Sequence, residues 1–127
     1  MKIILDTRTA LWFLTGSNRL SQSAKLAIEE VQDDIGVSVV SLWEFTIKHS
    51  LKKLEYSGGV MDFYRALAAN KWAILPITGA HLKALEKLPL LHRDPFDRML
   101  IATAVAEQAV LVSGDENIHQ YEIDCLW

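Results

Sequence analysis

Cysteine is almost absent. Cys125 is the only one among 127 residues, so no intrachain disulfide and no cysteine-built zinc site can form, which fits a reducing compartment. An excess of positive charge is missing too: 13 Lys and Arg against 16 Asp and Glu leave a formal charge of −3. There is no global basic field, and any nucleic acid would have to be held by local cationic patches or through metal ions. No apolar run approaches bilayer-spanning length, and Asp6 interrupts the one near the beginning. The expectation is a soluble cytoplasmic protein without a membrane span or secretory leader. Internal repeats, low-complexity segments and dividing linkers are lacking as well, so residues 1–127 are expected to form one domain.

What is present is apolar for so small a chain. Half of the residues are hydrophobic and the mean hydropathy is +0.14, which predicts that a partner, either a second copy or another protein, covers part of the surface. The run Lys2–Leu5 reads as a strand buried on both faces, ended by Asp6-Thr7 before Ala10, Leu11 and Leu14 set a helical pattern. Gly16-Ser17-Asn18 breaks that helix and Ser21 begins another, carrying Ala24, Leu26, Ala27, Ile28 and Val31. Asp33-Asp34 reads as a solvated loop, and Gly36–Val40 as a second strand. Ser41-Leu42-Trp43-Glu44 then has the form of a capping box, so a third helix is expected to start at Ser41, packing through Trp43, Ile47 and Leu51 with Glu44, Lys48 and Lys52 facing outward. A turn at Ser57-Gly58-Gly59, a helix over 60–70, a strand over Ala73–Leu75 and a helix capped by Thr78 follow. After a final helix comes the strand Val110–Val112, closed by Ser113-Gly114-Asp115, and the tail holds one more short strand at most.

That final helix begins in the stretch His92-Arg93-Asp94-Pro95-Phe96-Asp97-Arg98. Asp94 suits the N-cap, Pro95 the first helical position, where its missing N–H costs nothing, and Asp97 the third. Taken alone this is an ordinary helix start, one acid capping and the other complementing the helix dipole. Its apolar residues cover a broad face as far as about Gln108, so the helix is expected to pack deeply.

Strands alternating with helices predict an α/β fold with a mainly parallel sheet of four to five strands between two helical layers. In such sheets ligands bind beyond the carboxyl ends of the strands. Asp6, Glu44 and Asp115 each follow a predicted strand and would share that rim, whereas Asp97 reaches it only if its helix crosses there. Carboxylates gathered in one pocket repel and need a cation. All-oxygen ligands favour Mg²⁺ or Mn²⁺ over zinc, and the chemistry that suits them is phosphodiester hydrolysis.

Leu5-Asp6-Thr7, Ser41-Leu42-Trp43-Glu44, His92–Arg98 with Leu100-Ile101-Ala102, and Ser113-Gly114-Asp115 occur in the order found in PIN-domain ribonucleases, and the chain resembles in particular the VapC-like toxins of bacterial toxin–antitoxin pairs. The resemblance implies a PIN-like three-layer fold and an endoribonuclease dependent on Mg²⁺ or Mn²⁺. It also implies a homodimer, and a cognate antitoxin that covers the acidic pocket. Carried over by position, Asp6, Glu44 and Asp97 match the family's principal acids, Asp115 its more variable fourth, and Thr7 and Ser113 its supporting hydroxyls. Two departures stand out. Arg8 replaces the histidine common after Asp-Thr, and is open to contacting phosphate or to pairing with Asp94 or another acid. Gly114 stands where alanine is frequent, which is expected to loosen the turn carrying Asp115.

Arg8, Arg93 and Arg98 are the candidate contacts to RNA phosphate, whereas Lys48 and Lys52 read as a solvated face. His92 reads as a hydrogen-bonded loop residue. Trp12, Trp43 and Trp72 read as core, and Trp127 as a candidate to cover an oligomer contact. A phosphatase using Asp6 as phosphoacceptor would want a second aspartate where Arg8 stands, and a signalling receiver domain would want an acidic pair ahead of Asp6. The remaining alternative is a catalytically inactive PIN-like binding module whose acids serve as helix caps.

Overall fold

The computed structural model describes residues 1–31 and 34–127. Its five strands, β1 (Ile3–Leu5), β2 (Ile35–Ser38), β3 (Ala73–Leu75), β4 (Val110–Val112) and β5 (Cys125–Leu126), pair in the order β3-β2-β1-β4-β5, all in parallel. Among the described residues seven helices surround them: α1 (Thr7–Thr15), α2 (Gln22–Glu30), α3 (Val39–Ser50), α4 (Val60–Ala69), α5 (Gly79–Lys87), α6 (Pro95–Glu107) and α7 (Glu116–His119). No helix of these residues is long and apolar enough to cross a membrane. Asp33 of the expected Asp33-Asp34 loop lies outside the described residues, and Asp34 is exposed.

Alternation along β1 divides the core. Ile3 and Leu5 point into a cluster with Leu11, Ile28, Phe45, Phe63 and Leu67, while Ile4 points into one with Leu100, Ile101, Leu111 and Ile118. All three β1 residues are fully buried, as a strand covered on both faces requires. The chain builds outward from β1 through β2 to β3 on one side and through β4 to β5 on the other. The strand order therefore reverses between β1 and β4, and the crevice beyond their carboxyl ends is the expected ligand site in an open parallel sheet.

Several local starts are as the sequence predicts. Ser21 caps α2, Thr78 caps α5, and Asp94 caps α6 by accepting from the backbone N–H groups of Phe96 and Asp97. The third helix is different. It starts at Val39, capped by Ser38, and Ser41 is an interior residue whose buried Oγ finds no partner among the described residues. Glu44 thus sits in the second turn of a helix, not directly after a strand. Val39-Val40 read as strand because both are β-branched, and the Ser38 cap overrides that preference. Ser38→Ala should therefore cost about 1 kcal/mol, whereas Ser41→Ala should be neutral or slightly stabilising. Urea denaturation of both variants checks this, and a larger loss at Ser41 would return the helix start to that residue.

The faces of α3 also depart from expectation, although Lys52 is exposed as expected and Ile47 is half-buried. Trp43 and Leu51 are 57% and 58% exposed, while Glu44 is buried. Apolar residues nearly encircle this helix, so periodicity alone selects no single buried side; Leu42 and Phe45 are the residues that fill the core. Of the tryptophans expected inside, only Trp72 is buried, and Trp12 is half-buried.

Candidate active site

Beyond the carboxyl end of the sheet lies a cavity of about 460 Å³ lined by Asp6, Glu44, Asp94, Asp97 and Asp115, with Thr7, Arg8 and Lys48 beside them. Residues from the end of β1, from α3, from the start of α6 and from the turn after β4 therefore meet as expected, and α6 does bring Asp97 to the rim.

Asp6 occupies the crevice between β1 and β4. Its backbone N–H donates to the Val112 carbonyl at 3.2 Å, and its carboxylate caps α1 by accepting from the Thr9 N–H at 2.8 Å. Burial raises the Asp6 pKa above its ordinary value; hydrogen bonds from Ser113 and Thr9 oppose this, and the Glu44 charge adds to it. Glu44 is buried next to it. The Thr7 hydroxyl donates to Glu44 Oε1 at 2.5 Å, and Lys48 forms an ion pair with Oε2. Lys48 belongs to the site, not to a solvated face; its spacing from Glu44 was the available sign.

Asp97 is held through a chain of side chains. Arg98 donates to the Tyr121 hydroxyl at 2.9 Å, Tyr121 lies 2.8 Å from His92 Nδ1, and His92 Nε2 lies 3.2 Å from Asp97 Oδ2. Since a carboxylate only accepts, Nε2 carries the proton and the Tyr121 hydroxyl donates to Nδ1. The pKa of Asp97 is pushed up to about 7, chiefly by burial and then by the negative charge of Asp94, with Asp115 and Glu44 contributing further. His92 is thus a hydrogen-bonded loop residue, as expected, and it orients one of the candidate acids. Asp115 is the exposed member: it is the third residue after β4 and caps the short α7, which sequence periodicity did not reveal.

The three arginines separate. Arg8 lines the cavity, is exposed and makes no ion pair with a described residue, Asp94 included. Arg93 and Arg98 lie outside it, and Arg98 is engaged by the Pro89 carbonyl and Tyr121. Trp12, Arg19, Gly114 and Trp127 also line the cavity. Gly114 does not have a left-handed φ; a Cβ there would stand 2.7 Å from Trp127 Cε2. The glycine makes room for an indole; it is not there to loosen the turn.

A thiol nucleophile is excluded by its surroundings. Cys125 Sγ lies 3.4 Å from His119 Nε2, but that nitrogen donates to the Ser113 carbonyl at 2.6 Å and cannot accept the thiol proton. Burial and the Asp6 charge push the Cys125 thiol up to about 11, far from the thiolate form.

The site's capacity is therefore that of clustered oxygen donors. Among the described residues no three acid, histidine or cysteine side chains enclose one point. Glu44 is turned to Lys48 and Thr7, Asp97 to His92, and Asp6 to Thr9. The donor set nonetheless fits a hard divalent cation, because its members are all carboxylates, line one cavity, and add through their negative charge to the raised pKa values of Asp6 and Asp97.

A model of the family described as PIN domain matches residues 3–124. The chain is 28% identical over 122 residues to Ribonuclease VapC22 of Mycobacterium tuberculosis, covering 94% of this chain and 91% of that protein. Among solved structures it superimposes with a TM-score of 0.74 on VapBC2 from Rickettsia felis bound to a promoter DNA fragment, at 18% identity, covering 100% of this chain and 99% of the other. A toxin–antitoxin complex from Klebsiella pneumoniae matches with a TM-score of 0.70 at 16% identity, covering 99% of this chain and 97% of that one.

Proposed function

The chain belongs to the PIN-domain family, and we propose that it is a metal-dependent endoribonuclease, the toxin of a toxin–antitoxin pair. The observation that carries this reading is the convergence of Asp6, Glu44, Asp97 and Asp115, from four separated segments, on one cavity at the switch point of the sheet. The relative named as a ribonuclease and the neighbour solved as a toxin–antitoxin complex support it.

In this reading the four carboxylates hold Mg²⁺ or Mn²⁺. Such an ion supplies a water of lowered pKa and polarises a phosphate oxygen. Thr7 and Ser113 fix Glu44 and Asp6, and the chain from Arg98 through Tyr121 and His92 fixes Asp97. Lys48 balances the Glu44 charge, and Arg8 faces the RNA phosphate. Arg93 and Arg98 are given no phosphate contact. The antitoxin covers the acidic cavity. A second copy covers exposed apolar side chains such as Trp43 and Leu51, completing a homodimer. The RNA substrate and the antitoxin place the protein in the cytoplasm.

One observation favours the inactive binding module: Asp6, Asp94 and Asp115 are all true helix caps. Glu44 and Asp97 cap nothing, however, and the half-buried Asp97, which has no Lys or Arg partner among the described residues, stands beside other acids, an arrangement that a cation would relieve. The purified protein should cleave a mixed single-stranded RNA pool in Mg²⁺ or Mn²⁺ and lose that activity in EDTA. Cleavage that persists in EDTA, or a pool left intact with either metal, would remove this reading.

A further inference from the structure

A second cavity, of about 410 Å³, shares Arg8, Trp12 and Arg19 with the acidic one and adds Lys52 and Lys53, with Glu55 the one acid in its lining. These four cations are exposed, and none makes an ion pair with a described residue. In a chain of net charge −3 they form a local positive strip that begins where the carboxylates end. Lys52 helps build it from a left-handed backbone, φ 57°, a conformation more usual for glycine, which turns the chain directly after α3.

Between the acids and the cations stand two indoles. Trp12 lines both cavities, and Trp127 lines the first, their centroids 5.9 Å apart and their planes tilted by 54°. Trp127 rests on Gly114, the only residue type whose missing Cβ leaves the ring its place. Aromatic faces beside a cationic track accept unstacked bases while the cations follow the backbone; a duplex would offer no free base to stack.

We infer that Trp12 and Trp127 form a stacking subsite for a nucleobase of single-stranded RNA next to the phosphate that the acids receive, with Arg8, Arg19, Lys52 and Lys53 tracking the adjoining backbone. This rests on the nuclease reading for the identity of the strand. The subsite selects unpaired RNA, and within it bases that stack well. It also assigns a role to Gly114 and Trp127 that catalysis by the acids does not require.

The test measures binding, so that it stands apart from cleavage. A fluorescein-labelled adenosine decamer and a ribose-phosphate decamer of the same length without bases are titrated in EDTA with the Asp6→Asn protein and with the same protein carrying Trp127→Ala, Trp12→Ala or Gly114→Ala. The parent should bind the base-bearing decamer about 10-fold more tightly. Each substitution should abolish that difference while binding of the baseless decamer stays unchanged, and Trp127→Phe should retain most of it. Arg19→Gln should weaken both probes alike and lower the salt dependence of binding. Circular dichroism and melting identify any variant that fails to fold, and Trp127→Phe against Gly114→Ala then separates ring loss from ring displacement. Equal affinity of the parent for the two decamers, or an undiminished difference in the folded tryptophan variants, overturns the subsite even if RNA is cleaved. A base-dependent difference in a protein that cleaves nothing would instead keep the subsite and reject the nuclease reading.

Discussion

Asp6→Asn should reduce RNA cleavage by roughly 10³-fold, about 4 kcal/mol of transition-state stabilisation, without lowering the melting temperature. The two halves of this expectation have separate causes. Structurally, Asp6 caps α1 through the Thr9 N–H, and asparagine is an equally good N-cap. Its carboxylate is buried beside Glu44, which raises its pKa, so the neutral amide removes an unfavourable charge and the fold is unharmed or slightly stabilised. Chemically, the amide is a far weaker ligand for a hard cation and cannot act as a base. Initial cleavage rates and thermal melts of the same preparation measure both. A folded Asp6→Asn protein with near-parental cleavage would take Asp6 out of the site.

The second large effect is on pH. Asp97 is held up to about 7 by burial and by Asp94, Asp115 and Glu44. Below that value it keeps a proton that a cation must displace, so at limiting Mn²⁺ cleavage should fall about tenfold per pH unit, or about 100-fold between pH 7 and 5. Raising Mn²⁺ should recover the activity by moving the transition to lower pH. The metal-free fold should behave in the opposite sense. A carboxyl whose pKa is raised from 3.8 towards 7 on folding contributes stability that is full below 3.8 and is lost as the pH rises through about 7. Metal-free melts should therefore weaken over that interval, and Asp97→Asn should flatten both profiles. An unchanged pH profile in that variant would mean that another group sets it.

The difference between what residue patterns reveal and what they hide follows from the range over which each acts. Caps and breakers are local, and Ser21, Thr78, Asp94 and the Gly16 turn are where the sequence predicts them. Short apolar runs between breakers mark β1, β3 and β4. At α3 two local signals compete, since Ser38 and Ser41 both suit a cap, and only the path of the chain out of β2 decides between them. The buried face of α3 was misread because Glu44 is buried for what it meets in space, while Trp43 is left outside. The four acids were identifiable from their order along the chain. Trp12 and Trp127 were not, because their membership of the cavity comes from contacts between distant segments, such as the Trp127 indole on Gly114, while Lys48 is signalled only by its i,i+4 spacing from Glu44.

The central claim is that these carboxylates hold a divalent cation, and thermal melting of the parent and of Asp97→Asn at pH 8, with and without Mn²⁺, tests it most directly without knowledge of the RNA. At a hundredfold excess over Kd, Mn²⁺ should add about 2.7 kcal/mol to the parent, a rise on the order of 10 °C, and far less to the variant. The metal-free variant should melt no lower than the metal-free parent. A parent indifferent to Mn²⁺, with a variant weakened by about 0.5–1 kcal/mol, would contradict the claim and leave Asp97 as a residue of the helix start alone.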